Sequence, residues 1–323
     1  MNILNKPLLK PWHNFPASHS ETPSGKATAP CSLQPRDAPT VCATPLSSPP
    51  SLQIKLRVVS LHAVLLHEHI ETSRVERLIA RLQNDQLLKN PPIVVAADAY
   101  YLVLDGATRI TALQSIGCCD VVVQIVEYDT PGLKLETWNH LLVDVPLDEF
   151  FATLHRLPDL RIEPMVWEQA ERALAQRTSL GTLALHDGRV FALQTPCRTL
   201  AEQTRLLNQI VGAYAGRGEM YRVAHSDLER LRAEHTRASA LVVFPRYRPD
   251  EIRHLALNGS KLPMGITRHI IPGRVLRINI PLAVLRGREP LAQKNAWLEM
   301  WLKTKMCERQ VRFYQEPVFL FDE

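Results

Sequence analysis

Residues Tyr101-Leu-Val-Leu-Asp105-Gly106-Ala107-Thr108-Arg109-Ile-Thr-Ala-Leu113 commit the middle of this chain to a strand that turns at once into a helix. The apolar run ending at Leu104 is a strand. Ile110, Leu113 and Ile116 then share one helical face, and Gly117 is placed to stop it. A helix that starts so abruptly leaves its first amides without acceptors, all pointing one way at the positive end of the dipole. Gly106 lets a ligand approach that backbone, and Arg109 adds a charge able to fork onto phosphate oxygens. The turn therefore has the makings of an anion site. The same residues also fit an ordinary turn in which Asp105 is only the N-cap.

The elements around this turn describe a compact α+β unit. Ile54–Val59, Ile93–Ala97, Tyr100–Leu104 and Val121–Val126 read as strands, the last of the continuous apolar kind that is covered on both faces. Ser73-Arg-Val-Glu76 has the form of a capping box, with Val75, Leu78, Ile79 and Leu82 marking the helical face that follows. Residues 1–50 are rich in Pro, Ser, Thr and Ala, with too few large apolar groups to offset the entropy of ordering, and read as a disordered tail. A small domain over 51–136 follows. From residue 137 to 323 the pattern is mainly helical, clearest at Val166–Arg177 and Leu200–Tyr214, with Glu219–Arg237 as a further helical run. A hairpin is expected around Asp187-Gly188, strands at Leu241–Phe244 and Gly273–Ile280, and a short helix at Pro249–Leu257. The expectation is α+β, a small domain followed by a mostly helical second domain with a few strands.

Charge and cysteine usage exclude several classes. The net charge is +5, and Lys6, Lys10, Lys26 and Arg36 against Glu21 and Asp37 place +2 of it in the tail. The remaining body is too weakly basic for a protein that coats DNA, although a pocket for a small anion fits. The six cysteines show no C-x-x-C spacing, so they read as reduced thiols of a cytoplasmic protein, and no apolar run reaches membrane-spanning length.

Four clusters carry chemistry. Leu66-His67-Glu68-His69 puts a carboxylate between two imidazoles. In an extended segment, however, both imidazoles point away from Glu68, and no third zinc ligand follows at a recognisable spacing. Asp105–Arg109 is the second cluster. Thr137-Trp138-Asn139-His140 supplies an aromatic wall, and Gly265-Ile-Thr267-Arg268-His269 with Arg274 supplies a basic arm. A carboxylate, a helix N-terminus, an aromatic wall and a basic arm are together the parts of a phosphoryl-transfer site. No Walker loop and no protein-kinase His-Arg-Asp or Asp-Phe-Gly set occurs, so such an enzyme would use another fold.

In order and spacing, Leu66-His67-Glu68, Leu104-Asp105-Gly106-Ala107-Thr108-Arg109, Thr137-Trp138-Asn139-His140 and Gly265-Ile266-Thr267-Arg268-His269 resemble the ParB/sulfiredoxin-like fold, and specifically the free L-serine kinases built on it. The resemblance runs from Ile54 to the Glu316–Asp322 segment. It implies phosphorylation of L-serine to O-phospho-L-serine with ATP or ADP and Mg²⁺, in the bacterial branch often for siderophore assembly. Glu68 would be the general base and Asp105 a catalytic or Mg²⁺-holding carboxylate. Gly106, Ala107, Thr108 and Arg109 would bind nucleotide phosphate, with Trp138, His140, Thr267, Arg268, His269 and Arg274 around the substrate. The family turn usually carries His where this chain has Thr108, which can bond phosphate but cannot carry charge. The competing expectation is a ParB-like regulator that binds DNA or nucleotide without catalysis. Partition proteins, though, usually carry Gly-Glu-Arg-Arg at the turn and a helix-turn-helix downstream.

Overall fold

The computed structural model describes residues 54–313. The tail expected over 1–50 and the Glu316–Asp322 segment lie outside the described residues. The described residues belong to one compact unit.

Chain order begins with β1 (Leu56–Ser60), β2 (Val64–Leu65), α1 (Thr72–Asp85), β3 (Leu87–Leu88), β4 (Ile93–Ala97), β5 (Tyr100–Asp105), α2 (Ala107–Ser115) and β6 (Asp120–Val126). Five of these strands make a mixed sheet in the order β1-β6-β4-β5-β2. Asp98, at φ 51, turns β4 tightly into antiparallel β5. Side chains alternate across a strand, so Val94 and Val103 face a core shared with Ile110 and Leu113 of α2, while Ile93, Val95, Leu102 and Leu104 face a second core on the other side. The sheet is covered on both faces, as the apolar run of β6 requires. α1 begins one residue before Ser73, and its N-cap is Glu71, whose carboxylate accepts from the Ser73 hydroxyl at 2.6 Å. The Ser73–Glu76 capping box is therefore not used.

Next come β7 (Lys134–Thr137), β8 (Asn139–Val143), α3 (Leu147–Leu154), β9 (Arg161–Pro164), α4 (Trp167–Ala175), β10 (Gly181–Leu185), β11 (Val190–Gln194), α5 (Leu200–Gly212), β12 (Glu219–Val223), α6 (Leu228–Glu234) and β13 (Ala238–Val243). Helices still predominate in the second half, but it carries more strand than the few expected. Six of these strands form an antiparallel sheet, β12-β8-β13-β10-β11-β9. Glu219–Val223, expected to be helical, is an edge strand because β8 offers it a complete antiparallel ladder. The hairpin around Asp187-Gly188 forms as expected, with Gly188 at φ 97. α4 leads into β10, so no recognition helix follows it.

The chain ends with α7 (Pro249–Leu257), β14 (Thr267–Ile270), β15 (Ile280–Pro281), α8 (Leu282–Arg286) and α9 (Leu291–Cys307). Thr267–Ile270 pairs with β7, whereas the strand expected over Gly273–Ile280 shrinks to β15, with Arg277 and Asn279 at positive φ. α9 returns to the first sheet. Its Asn295 side chain accepts from Val58 N and donates to Val58 O, both at 2.9 Å, and so pairs with edge strand β1 as a neighbouring strand would. Beside it, buried Lys294 donates to Asp120 at 2.6 Å and to the Gly287 carbonyl at 2.7 Å. Among the described residues no helix is long and apolar enough to cross a membrane.

Candidate active site

A cleft of about 960 Å³ is walled by α1, the β5–α2 turn, Trp138 and β14. It is strongly basic: among the described residues nine Lys or Arg side chains line it against four carboxylates.

At one end lies Glu68. Its strand-like segment is tied to the loop before β14 by His69 N to Leu262 O and Leu262 N to His67 O, both 2.8 Å. This register aims the carboxylate at the Gly265–Thr267 backbone. Oε2 accepts from Gly265 N at 3.0 Å, while Oε1 accepts from both Thr267 N and the Thr267 hydroxyl at 2.5 Å. A carboxylate has about four acceptor sites. Oε1 is saturated here, and Oε2 keeps one lone pair. The Thr267 proton is committed to Glu68, so Thr267 Oγ1 must accept from His67 Nε2, 2.8 Å away. His67 is thus the neutral Nε2–H tautomer, and burial pushes it below the ordinary imidazole value despite the pull of Glu68. Its Nδ1 is buried without a partner, as is that of His269, whose ring packs edge-on at 5.7 Å. Burial, then the neighbouring His67, drives His269 down to about 3.

Asp105 also lines the cleft. Its Oδ2 accepts from Arg274 at 2.5 Å and Arg109 at 3.1 Å, and Arg274 also reaches the His269 carbonyl at 3.3 Å. Burial acts to raise this carboxyl, but the two guanidinium groups hold it below the ordinary range. Glu68 is docked on Thr267 and Asp105, through Arg274, on His269. The two acids are therefore referenced to positions two residues apart on β14, about 7 Å of strand.

The strand-to-helix turn is built differently from a simple Asp cap. The N-cap of α2 is Gly106 at φ 101, and a Cβ there would meet Pro92 at 3.0 Å. Ile110 N is the first amide to return to the turn, bonding Gly106 O at 3.0 Å, so those of Ala107, Thr108 and Arg109 precede the hydrogen-bonded ladder. Arg109 does not reach into the cleft as a free fork. Its guanidinium donates to the carbonyls of Asn90 at 3.1 Å and Pro91 at 2.7 Å as well as to Asp105, so its charge braces the turn.

Trp138, Thr267, Arg268, His269 and Arg274 all line the cleft. Arg268 stacks over Trp138 at 4.5 Å and pairs with Glu136 at 3.2 Å. His140 is the exception: it is fully buried outside the cleft, with Nδ1 at 2.6 Å from the Tyr214 hydroxyl and Nε2 at 3.1 Å from the Gly265 carbonyl. Since a carbonyl only accepts, Nε2 carries the proton and Nδ1 accepts from Tyr214. Burial lowers its pKa to about 4. His140 fastens the Gly265 loop rather than meeting a ligand. Among the described residues no group of three or more His, Cys, Asp or Glu side chains is placed to hold a metal ion.

Sequence reasoning missed Arg222 on β12 and the row Arg74, Arg77, Arg81 along α1. The signal for the row was present as i, i+3, i+7 spacing, which places all three on one helical face.

No family model matches the chain. It is 28% identical over 276 residues to the ATP-dependent L-serine kinase SbnI of Staphylococcus aureus, spanning 83% of this chain and 97% of that protein. It is 22% identical over 240 residues to the ADP-dependent L-serine kinase SerK of Thermococcus kodakarensis, 73% of this chain and 95% of that one. Among solved structures, C-terminally truncated SbnI superposes with a TM-score of 0.61 at 24% identity, covering 78% of this chain and 97% of its own. A free serine kinase in complex with AMP gives 0.62 at 19% identity, covering 73% and 95%. At these identities the structures establish a shared fold.

Proposed function

We propose that this chain is a free L-serine kinase, transferring the terminal phosphoryl group of ATP or ADP to the serine hydroxyl. One observation carries the reading. Glu68 is a carboxylate fixed by three donors, with a single lone pair left on Oε2 and facing a cleft rich in cations. Long relatives named as L-serine kinases support it.

In this reading the serine hydroxyl gives its proton to Glu68 Oε2 as its oxygen bonds the terminal phosphorus. The bond from that phosphorus to the nucleotide's bridging oxygen breaks, releasing O-phospho-L-serine and the shortened nucleotide. The amides of Ala107 and Thr108, with the Thr108 hydroxyl, receive phosphate oxygens, because Arg109 is spent on the turn. Asp105 would hold Mg²⁺. Its Oδ2 is taken by two arginines, leaving Oδ1, and one carboxylate completed by phosphates and water is an ordinary donor set for this ion. When bound, Mg²⁺ neutralises charge on the phosphates. Trp138, Thr267, Arg268, His269 and Arg274 form the wall around serine and the moving phosphoryl group. The small domain over 51–136, of ParB/sulfiredoxin type, carries the nucleotide side, and residues 137–323 complete the substrate side.

The test is incubation of the purified protein with L-serine, Mg²⁺ and either ATP or ADP, read by mass spectrometry for O-phospho-L-serine. Glu68→Gln keeps the size of the side chain and an oxygen for Thr267, sets an amide NH2 against the Gly265 N–H, and cannot take a proton. Its turnover is expected to fall by about 10²–10⁴-fold with nucleotide binding retained. Near-normal turnover in this variant would remove Glu68 from the role.

A further inference from the structure

Arg222 is a cleft cation with no part in the reaction described above. It extends from β12, opposite His140 of β8, is half-buried, and lines the cleft at the Glu68 end. Its guanidinium makes no hydrogen bond or ion pair among the described residues. The other arginines near the acids are occupied: Arg268 by Glu136 and Trp138, Arg274 by Asp105, Arg109 by Asp105 and two carbonyls, Arg74 by Glu71. The groups facing Arg222 are Glu68, Glu71 and Arg74, and burial weakens its hold on the proton more than any of these. Room for it is made by Gly265, at φ 73, where a Cβ would collide with the guanidinium. The Gly265 carbonyl is held by buried His140, which fixes the backbone side of this contact.

We infer that Arg222 binds the α-carboxylate of the free amino-acid substrate and makes the site selective for substrates that carry one. The inference rests on the serine-kinase reading. Once the serine hydroxyl meets Glu68 Oε2, the α-carboxylate is only three bonds away. It must sit beside the Glu68 carboxylate, an unfavourable pairing of like charges unless a cation stands between them. Arg222 is at that end of the cleft, against Gly265, the residue whose amide holds Oε2. Phosphate, by contrast, belongs at the Asp105–α2 end. A planar guanidinium with unused donors matches a carboxylate in a two-pronged geometry that lysine cannot copy.

The experiment compares L-serine with L-serinamide, which keeps the hydroxyl and amine but lacks the negative charge. Formation of phosphoserine by the wild type comes first; its absence would overturn the kinase reading, and this inference with it. Given that activity, the wild type is expected to prefer serine in kcat/KM by roughly 10–100-fold. Arg222→Gln is expected to raise KM for serine by a similar factor, leave KM for the nucleotide unchanged and abolish the preference. Arg222→Lys, which keeps the charge without the fork, should fall between the two and serves if the Gln variant fails to fold. Equal use of serine and serinamide by the wild type would refute the assignment without any variant. So would an undiminished preference in the variants, and a rise in nucleotide KM instead would move Arg222 to the phosphates.

Discussion

Removing one methyl-sized polar atom at Thr267 is a sharp test of how Glu68 is held. Thr267→Val keeps the shape of the side chain and deletes only the hydroxyl, which donates to Glu68 Oε1 and accepts from His67 Nε2. The two stranded partners fare differently. Glu68 opens on the cleft and keeps the Thr267 and Gly265 amides, so water can take the vacant place. His67 is only 5% exposed and already has an unpartnered Nδ1, so its Nε2–H is left without an acceptor. Leaving such a donor unsatisfied costs about 1–3 kcal/mol. Thr267→Val should therefore lose about 2 kcal/mol in denaturant unfolding, or roughly 4 °C in Tm. Thr267→Ser, which keeps the hydroxyl, should lose much less. His67→Leu removes the stranded donor, so the double variant should recover most of the deficit, giving a coupling energy of about 1–3 kcal/mol. A loss below about 0.5 kcal/mol for Thr267→Val, or strict additivity in the cycle, would refute the His67–Thr267–Glu68 chain.

Two further perturbations follow from the same geometry. His140 titrates at about 4 and His269 at about 3, against an ordinary value near 6.5, so the unfolded chain binds more protons between those limits. Stability is fully present above pH 6.5 and falls as pH drops toward the folded values. Each histidine should cost about 2 kcal/mol between pH 6.5 and 5, measured by urea unfolding, and a flat profile over that range would contradict their burial as neutral rings. Gly106→Ala should destabilise the fold by about 1–3 kcal/mol, because it combines φ 101 with contacts to Pro92 at 3.0 Å. Unchanged unfolding in that variant would mean the turn relaxes freely.

What the sequence disclosed tracks how local each determinant is. β4, β5, β6 and α2 were legible because their apolar periodicity and the Asp105-Gly106 turn lie within a few residues of one another. Glu68 was a candidate, but its orientation depends on partners 197 and 199 residues away, which no local pattern records. Thr267–Ile270 reads as a basic loop because its strand character comes from pairing with β7, not from alternating apolar residues. Glu219–Val223 carries charges at helical spacing and became a strand only because β8 lay beside it. α9 buries just Lys294 and Leu298 fully, so its inner face is scarcely apolar, and nothing in the pattern announced it. The same blindness hid Arg222, a charged residue on that edge strand. His140 looked like a ligand because Trp138, two residues before it, lines the cleft, yet Trp138 sits in the break between β7 and β8, so strand alternation does not carry its direction on to His140.

The clasp of Asn295 on Val58 has a consequence for synthesis. The two residues are separated by 237 positions. At about 5–20 residues per second, a ribosome takes roughly 12–47 s to deliver the second after the first. Throughout that interval the outer side of β1 offers an unpaired backbone edge to any other extended peptide nearby, a template for unwanted association. Only when α9 emerges does Asn295 shut that seam.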